Sequence, residues 1–112
     1  MKILLDINEL QKINECLNNT INIKKAYEDA VIEIVAHGSA AIPMQEKVAK
    51  NLNIYDRFNE LSSKGVTICV CNNSLNLYDI KKESLCSFVK VVKAGMVEII
   101  DREKEEYLYT KI

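Results

Sequence analysis

Tryptophan is absent, proline occurs once and glycine only three times in the 112 residues. With Gly38, Gly65 and Gly95 standing so far apart, neither a phosphate-cradling P-loop nor a dinucleotide fingerprint is present. Repeats, low-complexity runs and a linker are missing too, so one domain with a single core is expected over residues 1–112. An excess of one charge is also lacking. Fifteen basic residues against sixteen acidic ones leave a formal charge of -1, which gives no field to steer nucleic acid or anionic lipid, and no nucleic-acid partner is expected. Long apolar runs are absent as well. MKILLDI offers four apolar residues before Asp6, too few for a signal core or a membrane span, so a cytoplasmic protein without membrane contact is expected.

Two chemical signatures are missing. The four cysteines, Cys16, Cys69, Cys71 and Cys86, lack paired CxxC spacing. A site built from Cys69, Cys71, Cys86 and His37 would need irregular backbone, so no metal and no cofactor are expected. No strained G-x-S-x-G elbow surrounds Ser39 or Ser74, which argues against a serine hydrolase. In a reducing compartment the cysteines are expected to be free thiols, metal ligands or redox-active groups rather than structural disulfides, and the simplest role for a free thiol is burial.

What is present is an ordinary globular composition, 48% hydrophobic and 28% charged, arranged in alternating periods. KILLDI reads as a strand, followed by a helix-start signal at Asn8 and Glu9 and an apolar stripe at Leu10, Ile13, Cys16, Leu17, Thr20 and Ile21. AVIEIVA is a second strand ending at His37-Gly38. SAAIP is a small-residue connection whose proline can start a helix but not sit inside one. Val48, Leu52, Tyr55, Phe58 and Leu61 follow at helical spacing with a break near Asn51 to Asn53, and Gly65 suits a positive-φ helix end. VTICVC is a third strand, with Asn73 or Ser74 capping a short helix after it, and FVKVV a fourth. In the next helix Met96, Val97, Ile99 and Ile100 are expected to face the core, its charged end spans Asp101 to Glu106, and YLYTKI closes the chain as an edge strand. This β-α alternation defines an α/β fold: a three-layer α/β/α sandwich around a mostly parallel five-stranded sheet with right-handed crossovers.

In such a sheet the segments after the strands share one rim, where ligands bind. That rim gathers Asp6 to Asn8, His37 to Ala41, Cys71 to Ser74 and Ala94-Gly95. Cys71 closes a strand just before a helix start, where free N–H groups favour a thiolate and lower its pKa. Cys69, two residues earlier, lies on the same strand face but deeper, and reads as core. Cys16 and Cys86 read as packing residues. His37 is either an acid–base or ligand-binding group, or a ring that orders its loop. Gly38 and Gly95 permit close backbone approach. The acidic tail at Glu103, Glu105 and Glu106 is most simply a solvated surface.

IEIVAHGSAAI, LSSKGVTICVCNNSL, VKVVKAGMVEII and EEYLYTKI together resemble the DsrE/DsrF-like proteins over nearly the whole chain. The most specific stretches are Val35 to Gly38, Gly65 to Leu75 and Ala94 to Glu98. The resemblance implies assembly into trimers or hexamers and, in the sulfur-handling members, a cysteine that carries persulfide between donor and acceptor proteins. On this chain that cysteine is Cys71, with Asn73 and Ser74 beside it and His37 and Gly38 in the facing loop. Lys93 stands where the family often has proline, and Glu103 to Tyr107 lack the family's frequent glutamine and glycine. The expected function is therefore sulfur transfer through an exposed Cys71 of depressed pKa. The alternative is a homo-oligomeric module that holds a small ligand at the same rim without turnover, and a metal-bound regulator is a weaker third.

Overall fold

A computed structural model describes all 112 residues. Five strands, β1 (Lys2–Ile7), β2 (Val31–Ala36), β3 (Thr67–Cys71), β4 (Val89–Val92) and β5 (Leu108–Lys111), form one sheet in the order β4-β3-β2-β1-β5. Every neighbouring pair is parallel. Five α-helices connect them: α1 (Ile13–Ala26), α2 (Glu46–Asn51), α3 (Tyr55–Ser63), α4 (Asn72–Leu77) and α5 (Gly95–Lys104). The expected α/β class, element order and edge position of the last strand all hold.

Strand order explains where the helices lie. From β1 to β4 each crossover steps to the next neighbour in one direction, and right-handed connections then put α1 to α4 on one face. The return from β4 to β5 runs the opposite way, which sends α5 to the other face. Side-chain alternation agrees. Ile3, Leu5, Ile34, Ala36, Ile68 and Val70 point into a core of 23 buried residues with Leu17, Phe58 and Leu75. The opposite rows pack four residues, Leu4, Val35, Cys69 and Val92, against Ile99 of α5, a core of only five.

Because α5 covers its face alone, a single residue of its apolar set reaches the core. Ile99 is buried, whereas Met96 is 64% exposed and Val97 and Ile100 also face outward, contrary to the periodic reading. Two helix ends follow their sequence signals. Asn53 takes a left-handed φ of 59° between α2 and α3, and Gly65, at 95°, ends α3. There the Gly65 N–H bonds the Ser62 carbonyl and the Val66 N–H bonds that of Leu61, closing the helix with a Leu61–Val66 apolar contact.

Local details differ in three places. The first helical turn is a 3₁₀ segment at Leu10–Lys12 before α1 begins. Pro43 lies inside a 3₁₀ segment, Gly38–Met44, where its missing N–H breaks only one i to i+3 bond rather than a long ladder. Finally, α4 starts at Asn72, so Cys71 itself holds the cap position instead of Asn73 or Ser74.

Candidate functional site

The reversal of connection direction leaves a crevice at the carboxyl ends of β3 and β4, since α4 and α5 depart to opposite faces there. Cys71 ends β3 at that point. Burial by itself would raise its pKa, but the Ser74 hydroxyl and the N–H groups of Gly95, Ser74 and Asn73 outweigh that effect and lower it. The first turn of α4 and the first residue of α5 thus both present donors to one sulfur. Burial pushes the thiols of Cys16 and Cys69 up to about 12 and that of Cys86 up to about 11. Only Cys71 departs in the direction of a thiolate.

Ser74 is oriented for its part. Its Oγ accepts the Gly38 N–H at 2.8 Å, leaving the hydroxyl proton for the sulfur. Gly38 has φ 56°, and a Cβ there would lie 2.8 Å from the Asn8 carbonyl oxygen, so both conformation and space require glycine. Asn73 contributes its backbone, while its side chain is exposed.

His37 faces the same cleft. Its Nε2 bonds Asp6 Oδ1 at 2.5 Å, and Tyr109 donates to the other carboxylate oxygen, Oδ2, at 2.5 Å. Parallel pairing of β1 with β5 makes this possible, because Leu4 opposite Tyr109 and Asp6 opposite Lys111 put all four side chains on one face. Burial disfavours the Asp6 anion, yet the bonds from His37 and Tyr109 and the charges of His37 and Lys111 hold its pKa below the usual carboxylate value. The bond to Asp6 raises the pKa of His37 against the opposing effect of burial, and the Asp6 and Cys71 charges add to the rise. Tyr109, committed to Asp6, is pushed up to about 12. The result is an Asp6–His37 pair beside a thiol of lowered pKa, an arrangement suited to nucleophilic sulfur chemistry.

Gly95 lets these groups meet. A Cβ on it would lie 3.2 Å from His37 Cβ and 3.5 Å from Cys71 Cβ. Gly95→Ala is expected to change stability by less than about 1 kcal/mol, because better helix propensity offsets crowding. It should nevertheless push His37 from Cys71 and raise the pH at which the thiol reacts; a pH–alkylation profile matching wild type would show that the close approach is immaterial.

Cys71, His37, Gly38, Ser74 and Gly95 therefore converge as the rim argument required. One expectation fails: Cys71 is only 5% exposed, because the Gly95 backbone, His37 and Ser74 close around it. Sequence reading put Asp6 on the rim without giving it a role, and missed Tyr109 as a member of the site. The available signal was a carboxylate in an otherwise apolar strand, KILLDI, with no obvious solvent-facing reason to be there. A surface groove of about 780 Å³ between α1 and α3 includes none of these residues.

Fold and site together define an open parallel α/β domain whose carboxyl-edge crevice is built around a single cysteine of lowered pKa. The DsrE/DsrF-like family model matches residues 8–110, and the chain belongs to that family. No curated protein matches the sequence. Among solved structures, a protein of unknown function from Methanobacterium thermoautotrophicum, MTH1491, is similar with 23% identity and a TM-score of 0.90, over 99% of this chain and 98% of that one. The YchN protein of E. coli is similar at 13% identity with a TM-score of 0.81 over 100% of both chains. A conserved protein of unknown function from Bacteroides thetaiotaomicron, BT1422, follows at 15% and 0.73, over 99% of this chain and 94% of that one. At these identities the likeness concerns the fold. Membership in the family supports a role related to sulfur relay.

Proposed function

We propose that this chain is a sulfur carrier whose Cys71 accepts sulfane sulfur and hands it to another thiol. The thiolate attacks the outer sulfur of a donor persulfide, the donor S–S bond breaks, the donor leaves as a thiolate, and Cys71 keeps the transferred sulfur and its proton as a persulfide. Helix-start N–H groups and Ser74 hold the anion before attack, and His37, whose protonated form the bond to Asp6 favours, lies beside it. The observation that carries this reading is the lowered pKa of Cys71 beside three thiols that burial raises. Donor and acceptor proteins are its partners, and four free thiols suit a reducing cytoplasm. Exposed Met96, Val97 and Ile100 on α5 supply an apolar surface for a homo-oligomer. No helix is long and apolar enough to cross a membrane.

The burial of Cys71 favours a second reading, a closed pocket that holds a small anion without turnover. Intact-mass spectrometry after exposure to a sulfane-sulfur donor separates the two. A carrier gains about 32 Da per transferred sulfur atom, mapped to Cys71 and lost in Cys71→Ser but not in Cys86→Ser. Sulfur appearing at another cysteine, or none at all while anions still stabilise both wild type and Cys71→Ser thermally, would establish the binding module instead.

A further inference from the structure

On the α5 face, one layer below the Cys71 crevice, lies a second group of reactive side chains. Glu33 of β2 and Cys69 of β3 project from the same side of the sheet, since Val35, two residues after Glu33, pairs with Cys69. Glu98 reaches down to them from α5, and the Cys69 sulfur and one oxygen of each carboxylate lie within 4.8 Å of one another. Glu33 is only 6% exposed, and its Oε2 has no hydrogen-bond partner. An unbonded carboxylate oxygen in a buried site is costly, and what satisfies it is either a proton shared with Glu98 or a bound cation.

We infer that Glu33, Cys69 and Glu98 form a binding site for a divalent ion of the zinc type. One thiolate and two carboxylates are a borderline-soft donor set, which disfavours magnesium and calcium, and three protein ligands leave a fourth position open. Tetrahedral bonds of the usual zinc lengths set donors about 3.5 Å apart, so closing on the ion takes about 1 Å of movement, available to the Glu98 side chain on its surface helix. Charge also balances. The thiolate and two carboxylates carry three negative charges, the ion supplies two positive ones, and Arg102, whose Nε stands 3.7 Å from Glu98, supplies the third. Lys90 and Tyr107 are the other titratable groups facing the cluster.

Before the ion enters, burial and then the neighbouring Glu98 push Glu33 up to about 8, and burial with both carboxylates pushes Cys69 up to about 12. Ligation requires the thiolate and both carboxylates, so ion binding displaces protons from the site. Occupied, the site ties α5 to β2 and β3, where only a five-residue core otherwise holds it.

Cobalt(II) titration of the Cys71→Ser protein tests this without drawing on the sulfur-carrier reading, because the rim thiol is gone. The expected result is a thiolate-to-cobalt charge-transfer band with the intense visible spectrum of a four-coordinate ion, displaced by zinc and accompanied by proton release. Adding Cys69→Ser should abolish the charge-transfer band, and Glu98→Gln, a change at a partly solvated position that leaves the core intact, should weaken binding by about tenfold or more. A folded Cys71→Ser protein with no cobalt band, a band that survives Cys69→Ser, or binding indifferent to Glu98→Gln would each overturn the site.

Discussion

At pH 7, Cys71 is expected to be alkylated at least about thirtyfold faster than Cys16 or Cys69, before any difference in access. Burial puts the latter two near 12, while Cys71 lies below its ordinary value, a separation of about 3 units or more from a normal thiol near 8.5. Thiolate fractions then differ about a thousandfold, and the lower intrinsic nucleophilicity of a more acidic thiol returns roughly half of that on a logarithmic scale. Residue-resolved mass spectrometry across pH measures both rate and midpoint. Ser74→Ala should move the Cys71 midpoint upward and also free the Gly38 N–H, costing about 1–2 kcal/mol of stability.

The linkage has a definite sign. Because folding lowers the pKa of Cys71, its thiolate contributes stability above the unfolded value, and that contribution is lost as pH falls through the folded value. The pH-dependent part of the Ser74→Ala deficit should therefore be largest in alkaline solution. Faster labelling of Cys16 or Cys69, or a midpoint untouched by Ser74→Ala, would remove the physical basis for a carrier cysteine.

Why the rim was legible from sequence and its depth was not is a matter of range. VTICVC is a continuous apolar run followed by a helix start, and parallel strands must empty onto one edge; these local facts place Cys71, His37, Gly38, Ser74 and Gly95 together. Alternation of strand and helix likewise determines the class. The Asp6–Tyr109 bond joins residues 103 apart in the chain, and it exists only because β5 pairs with β1 and not with β4. That choice follows from sheet order, on which hydrophobic period is silent. The same ignorance explains the misassigned face of α5: three of its apolar residues look like core until one knows that a single helix covers that side.

Sheet order also decides the chemistry of Cys69. Read alone, it is a core thiol, and burial bears that out. Placed between Glu33 and Glu98, it becomes one corner of an acidic cluster. Two neighbouring rims of chemistry thus share α5, whose first residue, Gly95, faces Cys71 and whose next turn carries Glu98.

Glu33→Gln in metal-free protein is expected to raise stability in alkaline solution and leave it unchanged in acid. Folding moves the Glu33 pKa from 4.5 up to about 8, through burial first and then the adjacent Glu98. Between those values the folded chain holds a proton that the unfolded chain has released, so stability falls as pH rises through this window and stays lower above it. At about 1.4 kcal/mol per unit the ceiling is about 5 kcal/mol, and solvent reaching Glu98 and Arg102 reduces the expectation to about 2 kcal/mol. Glutamine has the shape and charge of the protonated acid, and its amide can donate to Glu98 while Arg102 keeps its ion pair. Thermal unfolding should accordingly show the variant melting roughly 10 °C above wild type near pH 9 and level with it near pH 4. A variant equally stabilised or destabilised at both ends would mean that Glu33 carries no proton across neutral pH, and the charge balance inferred for the cluster would have to be redrawn.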